Sequence, residues 1–146
     1  MKELISKEAL HKKTPQEITS LLYEACLNNL EDAKDAIDQQ NHVLANEKLQ
    51  KSNDILVRLG AGINYEAGII ADQLDALYNY LAEKVIEANI TKNEVIIEEV
   101  IQHIEALSSS WKDAMIKNKD SQPQLLKQKA NAYEKNTLYE ENQYEN

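Results

Sequence analysis

Apolar residues recur along this chain at spacings of three and four, the period at which an α-helix presents one face to a core. Ile18, Leu22, Ala25, Leu30, Ala33 and Ile37 form one such stripe, with Glu24, Glu31, Asp35 and Asp38 outside it. Thr14-Pro15-Gln16-Glu17 stands just before it. Threonine accepts from first-turn N–H groups, proline suits the first helical position, and a glutamate three residues on completes a capping box. A first helix is therefore predicted from Thr14 until Gln39-Gln40-Asn41 breaks the pattern. A second carries Ala45, Leu49, Ser52, Leu56, Leu59 and Ile63, and Gly60 and Gly62 loosen its end.

Gly68 falls just before or within the first turn of a third helix, whose seam reads Ile70, Leu74, Leu77, Leu81, Val85 and Ala88. Asn89 is its expected terminator, and Thr91-Lys92-Asn93-Glu94 repeats the capping-box pattern before a fourth helix. Ile97, Val100, Ile104, Leu107, Trp111 and Ala114 are the stripe there. Amphipathic helices joined by short links hide their stripes only against one another. The expected fold is all-α, an antiparallel up-down four-helix bundle over 14–116. A leader, 1–13, precedes it, and a polar tail, 117–146, follows. In the tail Pro123 could open a weaker fifth helix through Leu125, Leu126, Ala130 and Tyr133, capped by Ser121.

Composition agrees with helices. The 146 residues include three Gly, two Pro and no Phe, too few turn and aromatic residues for a sandwich or barrel. Net charge is −9, and its distribution says more than its sum: the leader carries +2, residues 14–116 carry −11, and 117–146 balance. A core at −11 repels phosphate backbones and anionic lipid surfaces, so neither nucleic-acid binding nor membrane insertion is expected. The start, Met-Lys-Glu-Leu-Ile-Ser-Lys-Glu, lacks the apolar region of a secretory signal, and no apolar run is long enough for a bilayer. Cys26 is the single cysteine, placed among apolar neighbours, and reads as a small core residue in a cytoplasmic protein.

Catalytic and metal patterns fail when tested. Di-iron bundles need paired Glu-x-x-His segments, yet Val100 precedes His103, Gln39 precedes His42, and the one match, Glu8/His11, lies in the leader. No Ser sits in a G-x-S-x-G turn, and Gly60 and Gly62 fit no phosphate loop. Glu98 and Glu99 point about 100° apart on a helix, which is a solvated face rather than a catalytic pair. Ser108 to Ser110 read as a small-residue patch. No cofactor, metal or enzymatic activity is expected.

The remaining feature is apolar surface beyond the seams. Leu21, Leu27, Leu44, Ile55, Ile69, Tyr78, Ile96 and Ile101 flank the stripes. They make either a broad core or a groove for a partner segment, and Tyr23, Tyr78 and Tyr80 suit a groove edge, with apolar area and a polar tip.

The same residues carry a resemblance. Thr14-Pro15-Gln16-Glu17-Ile18 followed by Leu21-Leu22-Tyr23-Glu24-Ala25-Cys26-Leu27 resembles the S-P-x-E-L-x-x-M-L-Y-x-G-x-L opening of the flagellar export chaperone FliS family. Leu77-Tyr78-Asn79-Tyr80-Leu81 is similar to its L-Y-D-Y-M, Glu87-Ala88-Asn89 to its E-A-N, and Ile97-Glu98-Glu99-Val100 with Trp111-Lys112 to its final helix. The resemblance implies a cytoplasmic four-helix chaperone that binds the C-terminal region of flagellin, prevents premature polymerisation and passes its client to the export apparatus. The gate component FlhA is a candidate second partner. The resemblance also implies that the leader caps or contacts a groove; Leu4, Ile5 and Leu10, which precede the first capping box, are its expected contacts, and Tyr23, Leu27, Tyr78 and Leu81, where the matching motifs fall at or beside the seams, are candidate groove residues. The alternative reading is another helical adaptor or a self-assembling bundle.

Overall fold

The computed structural model describes residues 13–117. Leu4, Ile5, Leu10, the Glu8/His11 match and the fifth helix expected from Pro123 lie outside the described residues. Four helices make up the described chain: α1 Pro15–Asp38, α2 His42–Ala61, α3 Ile69–Thr91, and α4 from 94 to 117, with a 3₁₀ turn, Tyr65–Ala67, before α3. The chain divides between Ser110 and Trp111. Residues 111–117 continue the helix, with Trp111 and Met115 half-buried and Ala114 exposed.

The helix starts follow local chemistry. Thr14 Oγ1 accepts from the Glu17 amide at 3.1 Å, and Pro15 opens α1 as expected. Asn41 Oδ1 does the same for the Leu44 amide at α2, 3.2 Å away. Gln40, with φ 58°, turns the chain between α1 and α2. Gly68 precedes α3 at φ 69° and ψ −127°, a backbone region open essentially to glycine alone.

Two expected boundaries are corrected. α3 does not stop at Asn89 but runs to Thr91 and ends on left-handed Lys92. The Asn89 side chain is engaged laterally, donating to Asn46 Oδ1 at 2.7 Å, so it does not compete with the helix backbone. Thr91 does not cap α4. Its hydroxyl donates back to Glu87 O, and Asn93 Oδ1 takes the Val95 amide at 2.9 Å instead.

Cross-helix contacts fix the topology. Cys26 reaches Ser52 O and Lys48 reaches Asp32 at 3.3 Å, so residue numbers fall on α2 as they rise on α1. Asn46–Asn89 joins the start of α2 to the end of α3, and Lys34–Glu98, 2.6 Å, joins the end of α1 to the start of α4. Neighbouring helices are antiparallel and form the all-α four-helix bundle that the stripes require. α1 and α3 face each other across its diagonal, and there the hydroxyls of Tyr23 and Tyr78 meet at 2.5 Å.

The stripes hold with two shifts of register. On α2 Ala45, Leu49, Ser52, Leu56 and Leu59 are buried, and on α1 Ala25, Leu30 and Ala33. On α3 the seam passes through Ala71 and Tyr78 rather than Ile70, which is 65% exposed. Ile70 stands five full turns before the buried Ala88 and so on the same side of α3, but it lies in the helix's first turn, where it is left exposed. On α4 Ser108 is buried where Leu107 is only half-buried.

Candidate functional site

The tyrosine pair divides the bundle into unequal halves. Towards Asp38, Cys26, Leu30, Leu49, Leu81, Val85, Ile97, Val100 and Ile101 are sealed from solvent. Towards Pro15 only a few side chains, among them Leu59, Ala71 and Ile104, are that deeply placed. Ile18, Leu21, Leu22, Ile63, Leu74, Leu77 and Leu107 are half-buried there, and Val57, Tyr65, Ile69 and Ile70 are exposed. Apolar surface left short of burial in this way is the physical signature of a binding face.

The sequence-predicted groove residues divide in the same way. Tyr23, Tyr78 and Leu81 are interior side chains, and Leu27 is half-buried. Tyr23 and Tyr78 therefore do not stand at a groove edge with their tips in water. A phenol hydroxyl is buried at small cost when it finds a partner, and each of these finds the other. Burial pushes both hydroxyls above the ordinary tyrosine range; for Tyr23 the bond to Tyr78 opposes the shift, and for Tyr78 the bond to Tyr23 adds to it. Of the flanking residues, Ile55 and Ile101 are core, Leu21, Leu44 and Ile96 are half-buried, and Ile69 is 75% exposed.

Tyr80 has the geometry expected of a groove edge. It is 41% exposed, its hydroxyl donates to Glu99 Oε1 at 3.1 Å, and its ring stands edge-on to His103 with centroids 6.3 Å apart. Lys84 Nζ lies 5.7 Å from the ring centre. Glu98 and Glu99 thus serve different neighbours, Lys34 on α1 and Tyr80 on α3, as adjacent helix positions must.

A second set of exposed apolar residues was not read from the sequence: Val43, Ile86, Ile90 and Val95 at the Asp38 end. The signal was present as apolar residues off the stripe, where burial gives no reason for them. Nearby, the Glu94 carboxyl is raised by its hydrogen bond with Asp38, then by burial and the Asp38 charge, with Lys34 opposing.

Among the described residues no group of three or more His, Cys, Asp or Glu is placed to hold a metal. Cys26 is fully buried, and burial pushes its thiol up to about 12, the opposite of an activated nucleophile. Among the described residues no helix is long and apolar enough to cross a membrane. What the bundle offers is apolar area on helices whose opposite faces are charged, suited to holding a chain segment.

Comparison with known proteins agrees. The family model described as "Flagellar protein FliS" matches residues 3–119. The flagellar secretion chaperone FliS of Bacillus subtilis (strain 168) is 28% identical over 109 residues, covering 75% of this chain and 81% of that protein. The protein of the same name from Vibrio cholerae serotype O1 is 29% identical over 103 residues, 70% and 76% of the two chains. That of Salmonella typhimurium (strain LT2) is 28% identical over 108 residues, 73% and 80%. These relatives are named as chaperones and not as enzymes. With a family match that spans the whole described bundle, this chain belongs to the FliS family of flagellar proteins.

Proposed function

We propose that this protein is a cytoplasmic flagellar secretion chaperone that holds the C-terminal segment of flagellin, prevents its premature polymerisation and supports its export. The observation that carries the reading is a family match over 3–119, coinciding with a bundle that leaves much of its apolar surface near Pro15 short of full burial. It favours this role over a general helical adaptor. A client segment that is disordered until bound must bury on the order of 1,000–3,000 Å² to recover its ordering cost, and long apolar helix faces supply such area. Tyr23, Tyr78 and Leu81 act from beneath by holding the helices, and Leu27 contacts the client. The leader, with Leu4, Ile5 and Leu10, covers apolar surface when no client is bound. Its charge of +2 against −11 on the bundle favours that docking at low salt. FlhA is the export-gate partner to which the complex is passed.

Calorimetry with the C-terminal segment of flagellin tests the assignment. One client per chaperone is expected, with a negative heat-capacity change and an ordering entropy that offsets a favourable enthalpy. Absence of any complex at tens of micromolar would reject it. Leu27→Ala is the informative variant, because it trims a half-buried contact and leaves the core intact. Deleting 1–13 should change client affinity while the bundle stays folded.

A further inference from the structure

We infer that the outer side of the α2–α3 seam is a second docking surface, fitted to an amphipathic helix of a basic partner protein. Two rows of residues line it at alternating spacings of three and four: Val43, Asn46, Gln50, Asn53 and Val57 on α2, and Asn79, Ala82, Ile86 and Asn89 on α3, with Ile90 beside the last. Each row stays within about 80° of its helix's circumference. The α2 row is turned roughly a third of a circle from the buried Ala45, Leu49, Ser52 and Leu56. The Asn89 amide donates to Asn46 Oδ1 at 2.7 Å, so both rows border one seam, and antiparallel packing lays them side by side.

Neither a core nor a solvated face calls for these residue types. Val43 and Ile90 are 82% and 79% exposed, and Val57 and Ile86 are exposed as well, so the bundle gains little from them. No position in either row is charged, although residues 14–116 carry −11. Between the apolar side chains stand amides: Gln50 donates to Asn46 Oδ1 at 3.3 Å, and Lys92 donates to Asn89 Oδ1. Asn53, two turns beyond Asn46 on the same side of α2, is half-buried, and its carbonyl oxygen finds no donor among the described residues. Adjacent rows of apolar and amide side chains at this spacing make the kind of groove into which another helix sets a row of its own, with the amides fixing register.

The rim selects the partner's charge. Lys51 and Lys84 are held by Glu47 and Glu87, at 3.1 and 3.4 Å, and Lys92 is held by Asn89. Among the described residues that leaves Asp54, Asp75 and Glu83 without an ion pair, against Arg58 on the basic side. A helix flanked by lysine or arginine is drawn to such a rim and to the field of the whole bundle, whereas a second copy of this chain meets like charge.

Titration of the full chain with two synthetic amphipathic peptides of about three heptads tests this. Both carry the same row of valine, leucine and asparagine; one has lysine on its flanks and the other glutamate. The lysine peptide is expected to bind, the glutamate peptide at least about tenfold more weakly. Binding should move the amide NMR signals of Val43, Asn46, Gln50, Val57, Ile86 and Ile90. Ile90→Lys, at an exposed position that leaves the core intact, should weaken the lysine peptide about tenfold. No binding, equal binding of the two peptides, or signals that move elsewhere overturns the inference. Two further measurements address other occupants. The full chain alone should sediment as a monomer, and a dimer dissolved by Ile90→Lys would give the seam to a second copy instead. The C-terminal segment of flagellin, bound beforehand, should leave the lysine peptide's affinity unchanged; displacement would make the seam part of the client's site and overturn a second surface while leaving the chaperone reading intact.

Discussion

The two ends of this bundle solve one problem with different completeness. Around Leu30, Leu49, Leu81 and Ile97 the stripes of the four helices meet and exclude water. Around Leu22, Ile63, Leu74 and Leu77 the same helices, at the same spacing, cover each other only in part. The apolar content of the two ends is similar, so the difference lies in what surrounds it. Tight turns and cross-helix polar ties draw the helices together near Asp38, whereas a longer link and the start of α1 stand near Pro15. A stripe thus shows that a helix will bury a face without showing how deeply.

That contrast can be broken by charge. Leu81→Asp places an unpaired carboxylate where no water reaches and should abolish cooperative unfolding, a cost of several kcal/mol. Leu77→Asp, one turn away on the half-buried side, can extend its carboxylate to solvent and should keep a measurable thermal transition. Equal losses would mean that the ends do not differ. Truncation sharpens the same comparison: urea unfolding should show about 3 kcal/mol lost for Leu30→Ala and about 1 kcal/mol for Leu74→Ala.

Alkaline pH acts on the sealed side. The folded state holds the Cys26 thiol up at about 12 from an ordinary 9.0, and burial raises Tyr23 and Tyr78 as well. As pH rises the unfolded chain loses these protons first, so the stability is whole below about pH 9 and is lost on the way to about 12. Unfolding free energies from urea titrations at pH 8 and pH 10.5 should differ by on the order of 1–2 kcal/mol, and Cys26→Ala should shrink the difference. The smallest effect belongs to the surface: Lys34→Ala removes the pair with Glu98 and should cost about 0.5 kcal/mol, less at high salt.

Much of this was legible in the sequence. The helices, the cap at Thr14 and most of the seam residues follow from a three-and-four spacing and a few capping side chains, whereas the Asn41 cap of α2 was read only as a break in the pattern. What escaped depended on contacts between distant segments. Tyr78 reads as a groove edge when judged by its own helix, because a tyrosine with a free hydroxyl belongs at a surface; only Tyr23, on a helix 55 residues away, makes it a core residue. Asn89 reads as a helix terminator until Asn46 occupies its amide. Ile70 shares a side of α3 with the buried Ala88, yet its place in the first turn of the helix leaves it exposed, which the spacing alone does not reveal. The exposed Val43, Ile90 and Val95 were visible as apolar residues without a stripe, a pattern that burial alone does not explain.

The buried thiol of Cys26 has a consequence in time rather than in energy. It is the chain's one cysteine, it lies just on the sealed side of the tyrosine bond, and it cannot be trapped by an alkylating reagent while its surroundings hold. The rate at which a reagent consumes it therefore counts the openings that expose the sealed core. Without any label being added, the chain carries its own clock for the opening of its core.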